Sequence, residues 1–393
     1  MYKILTLNNI SVAGLDRLPR GTYEVASEIA HPDAIMLRSF KMHNMELPET
    51  VIAVGRAGAG VNNIPVEKMT TLGVPVFNAP GANSNAVKEL VLAGMLIAAR
   101  NIGQGWGFAQ ELSGDDTTIN KAVEKGKKQF VGFELPGRTL GVVGLGAIGV
   151  KVANAARALG MNVIGYDPTI TVESAWKLTH DVEQVLSVDD LLSRCDFVTF
   201  HVPLVDSTKN MINAERLKLM KKNAVLLNFS RSGIIDDKAA VAALDEDRLY
   251  AYICDFPSNL LKDHPRCITL PHLGASTAEA EQNCAIMIAD QLKDYLEHGN
   301  IWNAVNFPNI SLPRNGGYRL AVVNSNVPNM VGQISTDLAE AGLNIIDMLN
   351  KSHENVAVTL LDMDREPSAE TIDQIKSIEG VLSVRCLGCT VKN

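Results

Sequence analysis

Short apolar runs alternate with longer stretches of helical periodicity over most of the 393-residue chain. Apolar runs bounded by turn residues predict buried strands, whereas apolar positions that repeat every three to four residues predict helices. Strands that alternate with helices in this way are typical of α/β proteins with parallel sheets. The pattern divides into two such series, followed by a different and more compact pattern near the C-terminus.

The first series contains four predicted strands and a long helix: Lys3–Leu7, Ala34–Leu37, Val51–Val54, Val74–Phe77 and the helix Asn85–Arg100. The second series contains six predicted strands: Thr139–Val143, Asn162–Tyr166, Asp196–Phe200, Ala224–Asn228, Tyr250–Cys254 and Cys267–Leu270. A helix over Ala147–Leu159 and a longer one over Thr277–His298 accompany them. A chain of this length exceeds what one core usually serves, so two or three domains are expected.

A segment with two Pro and two Gly, Phe307–Gly317, predicts a linker. The pattern after it is β-α-β-β-α-β, which is typical of a ferredoxin-like α+β unit. Its predicted elements are strand Tyr318–Asn324, helix Asn329–Ala341, strands Leu343–Leu349 and Val356–Asp362, helix Ser368–Ser377 and strand Val381–Arg385. We therefore expect a separate C-terminal domain.

Composition narrows the function classes. Hydrophobic residues make up 46% of the chain and the formal net charge is −8, which argues against general binding to nucleic acid or anionic membranes. No signal peptide and no 18-residue apolar span is evident, so a cytoplasmic protein is expected. Six dispersed cysteines favour buried thiols over a disulfide framework. For the lone Cys386-Leu-Gly-Cys389 motif we favour plain strand-end residues over a redox or metal role, and no metal site is expected.

A glycine-rich turn, Gly144-Leu-Gly146-Ala147-Ile148-Gly149, joins a predicted strand to a predicted helix. The first glycine permits the tight turn, the second lets the backbone approach a pyrophosphate, and the third packs helix against strand. Asp167 ends the next strand, where a carboxylate would bind the ribose hydroxyls of NAD and repel the 2′-phosphate of NADP. The turn therefore favours NAD, the alternative being a glycine-rich turn without a cofactor.

A second glycine-rich stretch, Gly55-Arg56-Ala57-Gly58-Ala59-Gly60, also follows a predicted strand. It has Asn63 in place of the third glycine of the fingerprint, and the next strand ends at Asn78 rather than at an acid. We expect its backbone N–H groups to approach an anion such as a substrate carboxylate or phosphate.

Polar residues follow the remaining strands of the second series, and parallel sheets bind ligands at the carboxyl ends of their strands. These residues are His201-Val202-Pro203, Ser230-Arg231, Asp255 and Pro271-His272. Arg231 can clamp a carboxylate through two hydrogen bonds, and His272 is the candidate for proton transfer. His201 is expected to line the cofactor cleft, and Asp255 to hold the nicotinamide carboxamide or to position Arg231.

These motifs together resemble the D-isomer-specific 2-hydroxyacid dehydrogenases. The pieces that carry the resemblance are VGRAGAGVNNI (54–64), VFNAPGANSNAVKELVLAGMLIAAR (76–100), LGVVGLGAIGVKVANAARALGMNVIGYDP (140–168), HVPL (201–204), NFSRSGIID (228–236) and LPHLGAST (270–277). The resemblance covers essentially the whole chain. Within the family, the branch that oxidises 3-phosphoglycerate to 3-phosphohydroxypyruvate, the first step of serine synthesis, is the most similar, and the C-terminal unit resembles its ACT regulatory domain.

The resemblance implies a Rossmann-type NAD-binding domain (97–277) inserted in a flavodoxin-like substrate domain (1–96 and 278–302), with a linker (303–317) and an ACT-like domain (318–393). It implies that Arg231 binds substrate while His272 exchanges the hydroxyl proton. The cofactor would also contact Thr208, Ser230 and Gly274. The substrate would meet residues from both domains: Arg56, Ala57, Gly58, Asn78, Lys127 and Lys128.

One departure from the family stands near the catalytic histidine. The family carries a Glu in a DVFxxEP-like stretch that hydrogen-bonds the histidine, and here the stretch from Asp255 to Asp263 contains no Glu. Asp263, Lys262 or solvent are the candidates for that role. In the ACT-like unit, the resemblance places Asn324, Asn326 and Asn344 where relatives bind serine across a dimer interface, so serine-regulated and unregulated homo-oligomers both stay open.

Two other functions fit part of the pattern. A glyoxylate or hydroxypyruvate reductase would use the same two domains, but the ACT-like unit argues against it. An NAD(H)-sensing binding protein of the transcriptional-corepressor type would keep the fold without turnover, and the presence of both Arg231 and His272 argues against it.

Overall fold

A computed structural model describes residues 1–314 and 317–389. The chain forms two compact units, one made of residues 1–82 with those from 281 onward, the other of residues 83–280. Among the residues described, no helix is both long and apolar enough to cross a membrane.

The first unit contains a five-stranded parallel sheet. Its strands are β1 (Tyr2–Leu7), β2 (Tyr23–Ala26), β3 (Ala34–Leu37), β4 (Ala53–Arg56) and β5 (Val76–Phe77). Two short helices, α1 (Val12–Leu15) and α2 (Val66–Thr71), lie in the connections. The spatial order is β2-β1-β3-β4-β5, which is the flavodoxin-like order expected for a doubly wound sheet.

The second unit contains a seven-stranded parallel sheet. Its strands are β6 (Thr139–Val143), β7 (Asn162–Tyr166), β8 (Glu183–Gln184), β9 (Phe197–Phe200), β10 (Ala224–Asn228), β11 (Leu249–Cys254) and β12 (Cys267–Thr269). Its helices are α3 (Ser84–Ala99), α4 (Ile102–Glu111), α5 (Asp116–Gly126), α6 (Gly149–Ala158), α7 (Val172–Lys177), α8 (Val188–Arg194), α9 (Ala214–Leu219) and α10 (Asp237–Asp245). From β8 through β6 to β12 the order is that of a Rossmann sheet with one additional strand, so the α/β fold class is confirmed.

Helix α11 (Ala278–His298) is the central helix of the first unit. Ile288 and Leu292 are fully buried and lie against the backbone of Gly55 in β4. Any Cβ at Gly55 would meet the Ile288 side chain at 2.5 Å, so glycine is required for this strand and helix to pack so closely.

The C-terminal part forms a four-stranded antiparallel sheet with two helices. Its elements are β13 (Tyr318–Ser325), α12 (Met330–Glu340), β14 (Ile345–His353), β15 (Val356–Met363), α13 (Ala369–Ser377) and β16 (Val381–Leu387). The strand order is β14-β15-β13-β16, so the β-α-β-β-α-β prediction is confirmed. One face of the sheet packs on its own helices, and the other shares a core with α11 through Ala321, Val323 and Leu360.

Three arginines bind the carbonyl groups at the end of α11. Arg319 is completely buried, pairs with Asp362 at 2.6 and 2.7 Å, and donates to the carbonyls of His298, Leu312 and Pro313. Arg385 donates to the carbonyls of Tyr295 and Leu296, and its guanidinium lies 4.5 Å above the Tyr295 ring. Arg314 donates to the Glu297 carbonyl. Cations at the C-terminus of a helix also offset its dipole.

The segment expected to be a linker, Phe307–Gly317, packs against the core of the first unit through its described residues. Phe307, Ile310 and Leu312 are buried in the core that contains α11, and Ile310 pairs with Ile301 through two backbone hydrogen bonds. Its two prolines and two glycines indicated a linker, and its three buried apolar residues are too widely spaced to indicate packing. Residues 315–316 lie outside the described residues.

Boundaries also differ from those expected. The compact units divide after residues 82 and 280, so α3 belongs to the second unit and the C-terminal sheet to the first. The strand predicted at Val51–Val54 has the wrong bounds, since β4 begins at Ala53 and ends at Arg56, two residues later at each end. Strand β2 and helices α4 and α5 were not predicted.

Candidate active site

The glycine-rich turn of the second unit is held between three strands. Gly144 has φ +92°, its N–H donates to the Tyr166 carbonyl at 2.8 Å, and a Cβ there would lie 2.6 Å from the His201 carbonyl oxygen. At Gly149 a Cβ would overlap the Gly144 carbonyl oxygen. At Gly146 a Cβ would meet no described residue within 4 Å, so this backbone faces open space. The turn thus leaves an accessible cradle at the start of α6, where helix N–H groups bind phosphates.

Asp167 fixes the shape of this cradle. One carboxylate oxygen accepts the Leu145 N–H at 2.8 Å, and the other accepts the Thr169 N–H at 2.8 Å. The carboxylate therefore lies at the end of β7 beside the turn that follows β6, where an acidic group can meet the ribose of a bound dinucleotide. Ala147 and Ile148 complete the turn before α6.

His201 follows β9 directly and is half-buried. Its ring Nε2 lies 3.1 Å from the Thr199 hydroxyl, and its ring Nδ1 has no partner among the described residues. Its backbone N–H donates to the Val143 carbonyl. Burial lowers the pKa of His201 to about 3, so the ring stays neutral. A neutral, enclosed imidazole is suited to lining the cleft and unsuited to proton transfer at neutral pH.

The loop after His201 is closed by Thr208. The Thr208 hydroxyl donates to the Pro203 carbonyl at 2.6 Å and accepts the Val205 N–H at 2.9 Å. Val202 contributes a side chain against the Gly144 turn. The Thr208 hydroxyl is thus engaged in hydrogen bonds that shape the loop.

Arg231 extends from a turn that Asn228 organises at the end of β10. The Asn228 Oδ1 accepts from both the N–H and the hydroxyl of Ser230, and its Nδ2 donates to the Arg231 carbonyl at 3.0 Å. The exposed Arg231 side chain donates to the Ser230 carbonyl at 2.7 Å. Sequence reasoning overlooked Asn228, although an asparagine that ends a fully buried strand is a recognisable signal of a turn-forming side chain.

Asp255 directly follows β11, the strand between those that precede Arg231 and His272. It is 1% exposed; its Oδ2 accepts the Gly274 N–H at 3.1 Å, and its Oδ1 has no partner in the described chain. Burial raises the pKa of Asp255, while the Gly274 hydrogen bond and the charges of His272 and Arg231 act in the opposite direction. A buried, half-satisfied carboxylate fits an incoming amide N–H such as that of a nicotinamide carboxamide.

His272 follows β12 in the left-handed backbone region, with φ +52°. Its N–H donates to the carbonyls of Asp255 and Leu270, both at 3.0 Å, which holds the turn in this uncommon conformation. Its exposed ring packs edge-on against Phe256, with ring centroids 5.3 Å apart. Sequence reasoning missed Phe256, since the contact depends on the loop geometry.

The contacts of the His272 ring differ from those that the family's glutamate implies. Asp263, one candidate partner of His272, lies 3.6 Å from Lys262 and both side chains are exposed. Within residues 1–314 and 317–389, no carboxylate is hydrogen-bonded to the His272 ring. Phe256 holds the ring by packing instead.

The first unit carries the second glycine-rich loop at the end of β4. The Arg56 Nε donates to the Arg38 carbonyl at 3.1 Å, and the Gly58 N–H donates to the Arg56 carbonyl at 2.7 Å. A Cβ at Gly58 would collide with the Arg56 guanidinium, so glycine lets that group fold over the loop. Asn78 closes the loop by donating to the Ala59 carbonyl at 2.6 Å. Ala57 is buried, and its N–H donates to the Leu37 carbonyl.

The second unit is similar to a known family of domains. Residues 92–274 match the D-isomer specific 2-hydroxyacid dehydrogenase, NAD binding domain family. A D-3-phosphoglycerate dehydrogenase of Haemophilus influenzae is 31% identical over 358 residues, which cover 87% of this chain and 83% of that protein. The chain belongs to the D-isomer-specific 2-hydroxyacid dehydrogenase family. Its second unit accordingly contains the NAD-binding domain of that family.

Two further comparisons extend the family match. A D-3-phosphoglycerate dehydrogenase of Methanocaldococcus jannaschii is 38% identical over 335 residues, which cover 83% of this chain but 61% of that protein. A solved structure of NAD+-bound 3-phosphoglycerate dehydrogenase from Entamoeba histolytica superposes with a TM-score of 0.60 at 26% identity. It covers 79% of this chain, and 99% of its own length is matched.

The remaining expected site residues differ in their surroundings. Lys127 pairs with Glu124 on the surface, and Lys128 is exposed beside it in a short 3-10 helix. Asn324 is 1% exposed, with its Oδ1 unpartnered among the described residues, whereas Asn326 and Asn344 are exposed. The Asn326 side chain donates to the Glu354 carbonyl.

The glycine-rich turn gives a matched pair of substitutions. Gly146→Ala should leave the melting temperature unchanged and weaken NAD binding about tenfold or more, ~1.4 kcal/mol, because the new methyl group enters only the cradle. Gly149→Ala should lower the melting temperature, because its methyl group overlaps the Gly144 carbonyl. Thermal unfolding and NAD titration of both variants measure this. Wild-type NAD affinity in Gly146→Ala would contradict the assignment of the cradle.

Proposed function

We propose that this dehydrogenase oxidises 3-phospho-D-glycerate at C2 to 3-phosphohydroxypyruvate with NAD, the first step of L-serine biosynthesis. The observation that supports this most is the placement of Arg231, Asp255 and His272 at the ends of the adjacent strands β10, β11 and β12. A guanidinium, a buried carboxylate and an imidazole at one sheet edge supply anion binding, amide binding and proton transfer. The names of the relatives in Haemophilus influenzae and Methanocaldococcus jannaschii point to this substrate.

The residues of the second unit fit NAD. The Gly144–Gly149 turn would receive the pyrophosphate and Asp167 the ribose. The Asp255 Oδ1, unpartnered in the part of the chain that the structure describes, would receive the carboxamide. His201, Val202, Pro203, Thr208, Ser230 and Gly274 would form the surrounding wall. The bound nicotinamide supplies the hydride chemistry, and the protein supplies orientation and electrostatics.

Each catalytic side chain has one task in this proposal. Arg231 binds the substrate carboxylate and polarises the oxygen at C2, which its planar fork allows. His272 takes the proton of the C2 hydroxyl, and Phe256 keeps its ring in position. Asp255 follows the strand between these two groups, and it would hold the carboxamide of the nicotinamide beside them.

The other end of the substrate needs a site for phosphate. Arg56, with the backbone of Ala57 and Gly58 and the Asn78 side chain, forms a cationic loop of the kind that binds anions. Lys127 and Lys128 offer further positive charge on the surface of the second unit. We propose that these groups favour a phosphorylated over an unphosphorylated acid.

The C-terminal sheet supports the phosphoglycerate branch over a glyoxylate or hydroxypyruvate reductase, since that branch carries ACT domains and this sheet has their β-α-β-β-α-β pattern. We propose that it is ACT-like.

We also propose that copies of the chain associate as a homodimer or homotetramer. The interface would form along the edge strand β14, which exposes Ile346 and Met348. The Asn324 Oδ1, which has no partner among the described residues, makes L-serine a candidate effector. Four buried free thiols fit a cytoplasmic location.

NADH formation tests the function. The full chain should reduce NAD with 3-phosphoglycerate at a much higher kcat/KM than with glycerate or lactate, and serine should lower the rate if the effector proposal holds. A preference for glyoxylate or hydroxypyruvate, measured as NADH consumption, would favour the reductase. Tight NAD binding without turnover of any of these acids would favour an NAD(H)-sensing protein.

A further inference from the structure

The Cys386-Leu-Gly-Cys389 motif at the end of β16 forms a disulfide in the structure, with Cα atoms 5.7 Å apart. Sequence analysis favoured plain strand-end residues here, and that interpretation was wrong because the turn brings the two side chains together. Gly388, at φ +82°, gives the backbone this turn. Cys386 is 5% exposed, whereas Cys389 is half-buried and so is the more accessible sulfur.

The other four cysteines differ from this pair. Cys195, Cys254, Cys267 and Cys284 are all buried and free. Burial raises the pKa of Cys195 and Cys267 to about 12 and that of Cys254 to about 11, so these thiols stay protonated and unreactive. Thiol chemistry in the described part of the chain is therefore concentrated at residues 386 and 389.

The pair lies on the joint between the C-terminal sheet and helix α11. Leu387, between the cysteines, is 3% exposed, and a Cβ at Gly299 just past α11 would lie 3.1 Å from its Cδ1. The Leu387 carbonyl accepts from Arg314 at 2.8 Å, and Arg314 also donates to the carbonyls of Glu297 and Gly317. A Cβ at Gly388 would collide with the Arg314 guanidinium. The backbone of the cysteine turn is thus one wall of the Arg314 site.

We propose that Cys386 and Cys389 form a redox-exchangeable disulfide that dithiols of the thioredoxin class reduce. The redox state of this disulfide sets how firmly Arg314 holds the end of α11 to the C-terminal sheet. Cys-X-X-Cys pairs are typical exchange sites, and a disulfide in a reducing compartment is usually transient. With the bond closed, the Leu-Gly turn is pinned at both ends. With the bond open, Gly388 regains backbone freedom and the Leu387 carbonyl is held less firmly.

The exchange balances without a metal or another oxidant. A thiolate of the reductant attacks the Cys389 sulfur, the Cys386–Cys389 bond breaks, and Cys386 leaves and takes up a proton. The second thiol of the reductant then attacks the mixed disulfide and releases Cys389 as a thiol. Two electrons and two protons reach the pair, and the reductant becomes a disulfide. The described residues contain no cluster of three or more ligands for a metal ion.

Differential alkylation of the full chain measures the exchange directly. Trypsin releases residues 386–392 as one peptide that contains both cysteines and no other. After equilibration in graded ratios of oxidised to reduced dithiothreitol, this peptide should change from no label to two labels in one transition, while the peptide with Cys195 stays unlabelled. A peptide fully labelled at every ratio, one never labelled, or stoichiometric zinc binding by the reduced chain would each overturn the proposal.

Limited proteolysis tests the effect on the joint. Trypsin can cut after Arg314 only when that side chain leaves its carbonyl partners. Reduction should speed this cut roughly fivefold, the factor expected from losing about one hydrogen bond. The double variant Cys386→Ala/Cys389→Ala should be cut fast at every ratio, and Cys195→Ala should keep the wild-type response. Equal cleavage rates for the oxidised and reduced wild type would show that the pair does not control the joint.

Discussion

Arg319→Met should destabilise the first unit by about 3–5 kcal/mol, because it leaves a buried carboxylate without its partner. Arg319 is completely buried, and the Asp362 side chain is 5% exposed. The substitution also leaves three backbone carbonyls, those of His298, Leu312 and Pro313, without this donor. Because Arg319 joins β13 to the end of α11, we expect the parallel and antiparallel sheets of this unit to lose stability together.

Chemical denaturation followed by fluorescence and circular dichroism measures this loss. The matched control is the double variant Arg319→Met/Asp362→Leu, which removes both charges and should recover part of the lost stability. A control elsewhere is Arg17→Met, since Arg17 forms an exposed pair with Asp290 and should cost no more than about 1 kcal/mol. Equal stabilities for Arg319→Met and Arg17→Met would show that the buried pair does not join the two sheets.

Arg231→Ala should lower kcat/KM for 3-phosphoglycerate on the order of 10³-fold, by analogy with the loss of a single donor that stabilises transition-state charge. The side chain is exposed and its only hydrogen bond within the described chain is to the Ser230 carbonyl, so the melting temperature should stay near that of the wild type. NAD affinity should also persist, because the proposed cradle lies at Gly144–Gly149.

Steady-state NADH formation, NAD titration and thermal unfolding together separate catalysis from binding and folding. Arg231→Lys keeps the charge but not the planar fork, so it should recover only part of the lost activity. Lys209→Ala, which removes an exposed cation from the same unit, should behave like the wild type. If Arg231→Ala retained wild-type kcat/KM, the proposed role of this residue would have to be abandoned.

The sequence predicted best where a local pattern leaves few physical alternatives. Six strands of the Rossmann sheet were placed within one residue at each end because each is a short apolar run with turn residues around it. The roles of Gly144 and Gly149 in turn and packing were also predictable, because a side chain at either position would strike backbone atoms. These features depend on neighbours that are close in sequence.

Features that depend on distant neighbours were not predicted. Nothing near Arg319 indicates that Asp362 will neutralise it inside a core, since an arginine in a strand usually reaches solvent. Phe307, Ile310 and Leu312 are spaced too irregularly to suggest a strand or a helix, yet each fills a place beside α11. His272 likewise was predicted as the candidate for proton transfer, but its left-handed backbone conformation was not predicted.

The shared core between α11 and the antiparallel sheet bears on how this architecture can be recombined. A module attached through a hinge can be exchanged between proteins by joining chains at the hinge. Here a transplant of residues 318–389 alone would leave Arg319 and Arg385 without the helix end they were matched to. A workable chimera would have to carry the last turns of the helix and residues 299–314 along with the sheet.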